Sequence, residues 1–598
     1  MDNQPGTAEA RADPRRVAHS MAEIAETSQR LVTDFLARQA EEGVPEPDPL
    51  NIAGAFLEMT ARMMANPAHV IEANLGLWTD YMALWQQAAT RMFGGESKPV
   101  ATPEPGDRRF KDAAWIENDV FDFIKQSYLL TSRWLRTTVG GVEGLAEKDA
   151  QKVDFYTRQF VEALSPSNFV VTNPEVLRAT VESGGENLLN GLKNLLADLE
   201  RGKGKLAIRM TDTEAFEVGR NVAVSAGKVV FRNDLIELLQ FQPSTRTVAE
   251  RPLLIMPPWI NKYYILDLRP ENSFIRWAVD QGMTVFVISW VNPDVRLAGK
   301  TFDDYLIEGP LAALDAIERA TGEAKVNVVG YCLGGTLLAC LLAWMAAKGD
   351  DRVASATFFT ALVDFKKAGE LAVFIDEKQL ASIEKKMRQR GYLEGAEMAS
   401  TFNMMRGNDL IWSFVVNNYL LGKDPFPFDL LYWNADATRM PAAMHSFYLR
   451  KMYLENKLVE PGGITLAGVP LDLGKISTPG YVVSTRDDHI APWRSTYAAV
   501  NLYQGPVKFV LSASGHIAGI VNPPEAHKYN YWTNEKNPST PEAWLEGAKE
   551  HRGSWWPDWQ KWVAGHAGGK PVPARKPGAG KLKVLGDAPG DYVRVRSD

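Results

Sequence analysis

Cysteine is nearly absent: Cys332 and Cys340 are the only two in 598 residues. So sparse a set excludes a disulfide scaffold and fits a reducing compartment. Basic excess is missing too. Lys and Arg total 66 against 73 Asp and Glu, a formal net charge of −7, which matches a general nucleic-acid binder poorly. The longest apolar run, Leu337 to Ala347, has eleven residues and is too short to span a bilayer. Met1 to Ser20 is polar and has no apolar segment, so no secretory signal is expected and the chain reads as soluble and cytoplasmic. The eight histidines are scattered without zinc-ligand spacing, so no metal site is expected. What remains, 45% apolar and 23% charged residues, is ordinary globular composition.

The N-terminal third has helical pattern. Asn66-Pro67 is a helix start signal. From there Ile71, Leu75, Trp78, Met82, Trp85, Ala89 and Met92 recur at steps of four and three, an apolar stripe ended by Gly94-Gly95. Helix-on-helix packing or a dimer contact is the expected use of such a stripe; the alternative is a surface that grips a partner or an apolar particle. Beyond about Lys205, short apolar runs alternate with helical stretches: Pro252 to Trp259, Thr284 to Trp290, Lys325 to Gly330, Ala354 to Ala361, Gly480 to Thr485 and Pro506 to Ser512. That alternation predicts a parallel sheet covered by helices on both faces.

The boundaries follow. Residues 1–204 form a helical N-terminal domain, its first 20 or so disordered, and residues 205–565 an α/β core. An aromatic-rich helical cap is inserted at about 364–476, and 566–598 is a tail. Five of the 17 tryptophans, Trp544, Trp555, Trp556, Trp559 and Trp562, fall just before that tail and are expected to pack onto the core. The tail, rich in Gly, Pro and Lys with seven basic and three acidic residues from Lys570 to Asp598, reads as loosely ordered.

The chemistry centres on Gly330-Tyr331-Cys332-Leu333-Gly334-Gly335. It follows an apolar strand and opens an apolar helix, the setting of a G-x-S-x-G nucleophile elbow with cysteine in place of serine. Glycine neighbours let strand and helix approach closely. The helix N-terminus offers free N–H groups and a positive dipole end, which favour a thiolate. Downstream, Arg486-Asp487-Asp488-His489 and Gly515-His516 each stand just past a strand. Nucleophile, acid and histidine in that order, each at a strand's C-terminal end, describe the α/β-hydrolase fold. Cys340, within an apolar helix, is an inert alternative nucleophile. His489 and His445 are weaker bases than His516 on chain order, and Asp487 competes with Asp488. An oxyanion hole needs two backbone donors. The N–H of Leu333 is one; the loop Pro257 to Lys262 supplies the other, near Ile260 or Trp259.

At these residues the chain resembles the polyhydroxyalkanoate synthases, most closely class I. The strings that carry the resemblance include Pro257-Pro258-Trp259-Ile260-Asn261-Lys262, the cysteine elbow, Pro441-Ala442-Ala443-Met444-His445, Tyr448-Leu449-Arg450 and Tyr453-Leu454-Glu455-Asn456. Asp488-His489-Ile490-Ala491-Pro492-Trp493 and Gly515-His516-Ile517-Ala518-Gly519 complete them. The resemblance implies a cysteine acyltransferase that polymerises (R)-3-hydroxyacyl-CoA, foremost 3-hydroxybutyryl-CoA, into polyester with release of CoA. Cys332 would be acylated, His516 would be its base, and Asp488 would assist His516 or activate the substrate hydroxyl. No cofactor is implied, coenzyme A being part of the substrate and a product. A homodimer, contact with the growing polyester and its cytoplasmic granule, and granule-associated proteins are implied as partners. Two rivals stand beside this reading: a thioesterase or esterase of the same fold that admits water, and a non-catalytic granule scaffold.

Overall fold

The structure, a computed structural model, describes residues 25–31 and 52–597; the expected disorder at residues 1–20 lies outside them. The chain divides into two compact units, Met1–Asp212 with Asn403–Phe426, and Thr213–Phe402 with Pro427–Asp598.

The first unit is helical. Its main helices are α1 (Ile52–Ala65), α2 (Pro67–Met92), α3 (Asp119–Gly140), α4 (Glu147–Ala163) and α5 (Glu186–Arg201). Pro67 opens α2 as the sequence predicts, although Asn66 makes no side-chain capping bond. The apolar stripe on α2 is largely exposed, although the Trp85 ring meets Phe123 of α3 with centroids 4.9 Å apart. Ile71, Leu75, Trp78, Met82, Trp85 and Met92 are between 50% and 82% exposed. The inward face is mixed: Leu84 packs with Leu130 of α3 and Ala101, Gln87 accepts from Gln126 (3.0 Å), and Arg91 pairs with the buried Asp122 of α3 (2.7 Å). Asp122 also pairs with the buried Lys125 at 2.8 Å, so these desolvated charges satisfy one another. Residues 403–426, in the middle of the inserted interval, pack against α5. A Cβ on Gly191 would sit 1.8 Å from the Tyr419 carbonyl oxygen, and Tyr419 donates to Asp198 at 2.6 Å.

The second unit is built on an eleven-stranded sheet. Its strands are β1 (Gly227–Arg232), β2 (Ile236–Phe241), β3 (Leu253–Met256), β4 (Val285–Trp290), β5 (Val326–Tyr331), β6 (Val353–Phe359), β7 (Gly480–Thr485), β8 (Val507–Ser512), β9 (Asn530–Thr533), β10 (Lys549–Arg552) and β11 (Gly586–Asp587). They lie in the order β10-β9-β8-β7-β6-β5-β3-β4-β2-β1-β11. The stretch from β4 to β8 is parallel and consists of the six strands read from the sequence. The α/β class is borne out. The flanking strands are antiparallel additions at both ends; β9 is partly exposed throughout, and the fully buried β2 has its apolar run broken by Glu237 and Gln240.

The eleven-residue apolar run lies in the helix α6 (Leu333–Lys348), which has twelve buried residues and crosses the core. At roughly 1.5–3 kcal/mol for each large side chain, it is a principal source of core stability. Among the described residues no helix is long and apolar enough to cross a membrane. The tryptophans before the tail pack as expected, Trp544, Trp555, Trp556 and Trp559 being fully buried.

The tail differs from its composition. Buried polar groups bind its main chain. Glu237 accepts from the N–H groups of Asp591 (2.9 Å) and Tyr592 (3.0 Å), and Lys262 donates to the Val595 carbonyl (2.6 Å). Main-chain recognition of this kind is indifferent to side-chain type, which is why a Gly/Pro/Lys-rich segment can be ordered.

Candidate active site

Cys332 sits on the turn between β5 and α6 with φ 52° and ψ −119°, a left-handed conformation that a non-glycine residue holds only when its surroundings enforce it. They do. Its N–H donates to the Phe359 carbonyl (2.9 Å), and its own carbonyl accepts from Gly335 (2.9 Å) and Thr336 (3.1 Å). Close approach, as the sequence implies, requires the neighbouring glycines. A Cβ on Gly334 would meet the Met256 carbonyl oxygen at 2.1 Å, one on Gly335 the Ala361 Cβ at 2.4 Å, and one on Gly330 the Gly335 Cα at 2.6 Å.

Asp488 and His516 converge on this turn from the loops after β7 and β8. His516 Nδ1 lies 2.7 Å from Asp488 Oδ2, leaving the other ring nitrogen for Cys332, which is near enough to act on the imidazole. Both Asp488 and His516 are buried. Burial alone would disfavour the imidazolium, but the Asp488 charge, and next that of Cys332, push the His516 pKa up to about 10. Asp488 has its acceptor positions filled. Oδ1 takes the N–H groups of Ile490 and Ala491, both at 2.9 Å, and Oδ2 also takes the Thr485 hydroxyl at 3.2 Å.

The histidine is clamped from below. Tyr331, beside Cys332, donates to the His516 carbonyl (3.2 Å), and its ring stacks on the imidazole with centroids 5.6 Å apart. Trp555 and Trp556 donate to the carbonyls of Gly519 and Ile520, each at 2.9 Å, fixing the loop that carries His516.

The alternatives separate cleanly. Asp487 is exposed and contributes a backbone N–H to Ser514 (2.9 Å). His445 is buried in the helix Ala442–Tyr448, and burial pulls its pKa down to about 4. Cys340 is fully buried, which pushes its thiol up to about 12. Two residues reached the site without a sequence-derived role: Tyr448 and Tyr453. Both are buried, their rings meet edge-on with centroids 5.5 Å apart, and both lie near Cys332. Helical periodicity could not have revealed them, because Tyr453 lies on a π-helical segment, Leu449–Leu454.

The loop after β3 abuts the elbow through Gly334, and its carbonyls are pinned in succession. Pro257 accepts from Trp290 Nε1 (2.9 Å), Trp259 from the Thr438 hydroxyl, Ile260 from the Thr438 N–H (3.1 Å) and Lys262 from Trp433 Nε1 (2.7 Å). Leu333 is the first residue of α6, so its N–H has no intrahelical acceptor. No group of three or more His, Cys, Asp or Glu among the described residues could hold a metal. A cleft of about 1370 Å³ in the N-terminal unit is lined by both charge signs and contains none of these residues.

Strand, elbow and helix, with an acid and a histidine delivered from two later strands, define an α/β-hydrolase-fold protein whose elbow carries cysteine. A family model described as alpha/beta hydrolase fold matches residues 272–523, and one described as Poly-beta-hydroxybutyrate polymerase (PhaC) N-terminus matches residues 106–278. A poly(3-hydroxyalkanoate) polymerase of Methylorubrum extorquens is 54% identical over 535 residues, covering 89% of this chain and 88% of its own. The poly(3-hydroxyalkanoate) polymerase subunit PhaC of Rhizobium meliloti is 49% identical over 588 residues (98% and 96%). That of Cupriavidus necator is 45% identical over 546 residues (90% and 91%). The chain belongs to the poly(3-hydroxyalkanoate) polymerase family.

Proposed function

We propose that this chain polymerises (R)-3-hydroxyacyl-CoA, foremost 3-hydroxybutyryl-CoA, through a thioester on Cys332. The observation that carries the reading is the chain of contacts from Asp488 through His516 to a cysteine held on a strained elbow. The Cys332 sulfur attacks the acyl carbonyl with its proton held on His516, whose surroundings favour the imidazolium, and Leu333 and Ile260 N–H groups hold the developing oxyanion. The C–S bond to CoA then breaks, and the CoA sulfur receives the proton from His516. In the second transfer a 3-hydroxyl loses its proton to His516 and attacks the Cys332 thioester. A C–O ester bond forms, the C–S bond breaks, and the Cys332 sulfur regains the proton. Exchange of one thioester for another keeps the acyl group activated for that step, which a serine ester would not. With its acceptor positions occupied, Asp488 is suited to orienting His516 rather than to taking the substrate proton. The chemistry asks for no cofactor beyond the CoA of the substrate.

Incubation with 3-hydroxybutyryl-CoA, following CoA release together with turbidity, tests this. The wild type should release CoA and cloud, and Cys332→Ala should do neither while remaining folded. Free hydroxy acid without polymer would instead identify a thioesterase. CoA release undiminished in Cys332→Ala would leave the chain a scaffold. The same reading places the protein at the surface of cytoplasmic polyester granules, as a dimer and beside other granule proteins, with the exposed stripe of α2 as the candidate contact.

A further inference from the structure

We infer that Thr438 aims the oxyanion donor. The inference rests on the acyl-transfer reading above and adds to it a residue that touches neither substrate nor reacting atoms. In a trans peptide the carbonyl oxygen and the following N–H point in opposite directions from one rigid plane. The Trp259 carbonyl and the Ile260 N–H share such a plane. By donating its hydroxyl to the Trp259 carbonyl, Thr438 pulls one end of the plane and thereby directs the Ile260 N–H the opposite way. Its own N–H holds the next carbonyl, that of Ile260, at 3.1 Å, so the peptide is fixed on both sides.

The placement also decides between the two candidate donors. The N–H of Trp259 belongs to the preceding plane, whose Pro258 carbonyl Thr438 does not touch. A preorganised donor must be one whose orientation is set before charge develops, and that describes Ile260.

Thr438 is itself held. It is 1% exposed, so water does not substitute for its hydroxyl. Ala437 before it accepts from the Ser597 hydroxyl (2.7 Å), and the Arg439 N–H after it donates to Asn292 Oδ1 (3.0 Å). Asn292 in turn donates to Ser597 Oγ (3.0 Å), closing the ring of contacts around the segment. Loss of the Thr438 hydroxyl leaves a buried carbonyl unpaired and its peptide free to turn.

Thr438→Val keeps the shape and removes the hydroxyl; Thr438→Ser keeps the hydroxyl. Two readouts separate aiming from mere support. CoA release from 3-hydroxybutyryl-CoA passes through an oxyanion, whereas alkylation of Cys332 by iodoacetamide does not. Thr438→Val should lower kcat for CoA release about 10- to 100-fold, with KM and the alkylation rate changed by no more than about threefold. Thr438→Ser should restore kcat to within about threefold of wild type. Equal loss of turnover and alkylation, a Thr438→Ser variant as slow as Thr438→Val, or undiminished turnover in Thr438→Val would each overturn the inference. A Cys332→Ala arm separates the two levels: CoA release there would sink the acyl-transfer reading itself.

Discussion

Burial opposes the imidazolium of His516, yet its surroundings favour it, because the Asp488 carboxylate at 2.7 Å and Cys332 together outweigh desolvation. The sign of its pH dependence follows. A histidine raised from 6.5 to about 10 stabilises the fold fully below pH 6.5, and that contribution fades as pH rises through 10. Asp488→Asn removes the larger of the charges that oppose burial, which lowers the histidine's pKa. Wild type should therefore melt above the variant by a margin that narrows between pH 6.5 and 10, measured by thermal scans across that range. A margin independent of pH would contradict the assignment. Turnover of the variant should fall by about 10²- to 10⁴-fold, read as CoA release.

The elbow is the element on which the site depends, and it is built from backbone proximity. β5 and α6 meet so closely that three glycines have no room for a methyl group, while Cys332 alone takes the left-handed turn. Gly334→Ala forces its Cβ against the Met256 carbonyl, which cannot move without displacing β3 and the loop behind it. A loss of about 3 kcal/mol is expected, seen as a lower urea midpoint for the tryptophan-rich sheet unit, together with loss of CoA release. An unchanged midpoint would refute the packing argument. These glycines were legible in the sequence because an elbow has a local signature. The π-helical turn that carries Tyr453 was not, since its register departs from the helical period by which sequences are read.

For the molecule as a whole, the informative surface is the α2 stripe. Single exposed apolar residues are normal, but Leu75, Trp78 and Met82 are 65%, 66% and 50% exposed along one face. Replacing these three with glutamine should shift stability by no more than about 0.5 kcal/mol per site, since no core packing is lost. If the stripe contacts a second copy or the polyester, the same variant should sediment as a smaller species or fail to pellet with polyester particles. Unaltered sedimentation and pelleting would remove the stripe from the proposal. The C-terminal strap works on the same scale in the opposite sense: Glu237, Lys262 and Asn292 bind its backbone from three separate parts of the sheet unit.

What could be read without coordinates was whatever is encoded locally: six buried strands as apolar runs, the cysteine elbow as a six-residue string, and the acid and base as polar residues at strand ends. The contact between Asp488 and His516 emerged only once β7 and β8 lay side by side, because hydrogen bonding depends on separation in space and these groups are 28 residues apart. The apolar face of α2 was visible as a pattern, but whether it would be covered depended on its neighbours, and α3 met mainly the face that carries Leu84, Gln87 and Arg91. Thr438 and the strap had no signature at all. The groups bound, by Thr438 and within the strap, are main-chain carbonyls and N–H groups, which every residue possesses, so folding alone determines which of them is bound.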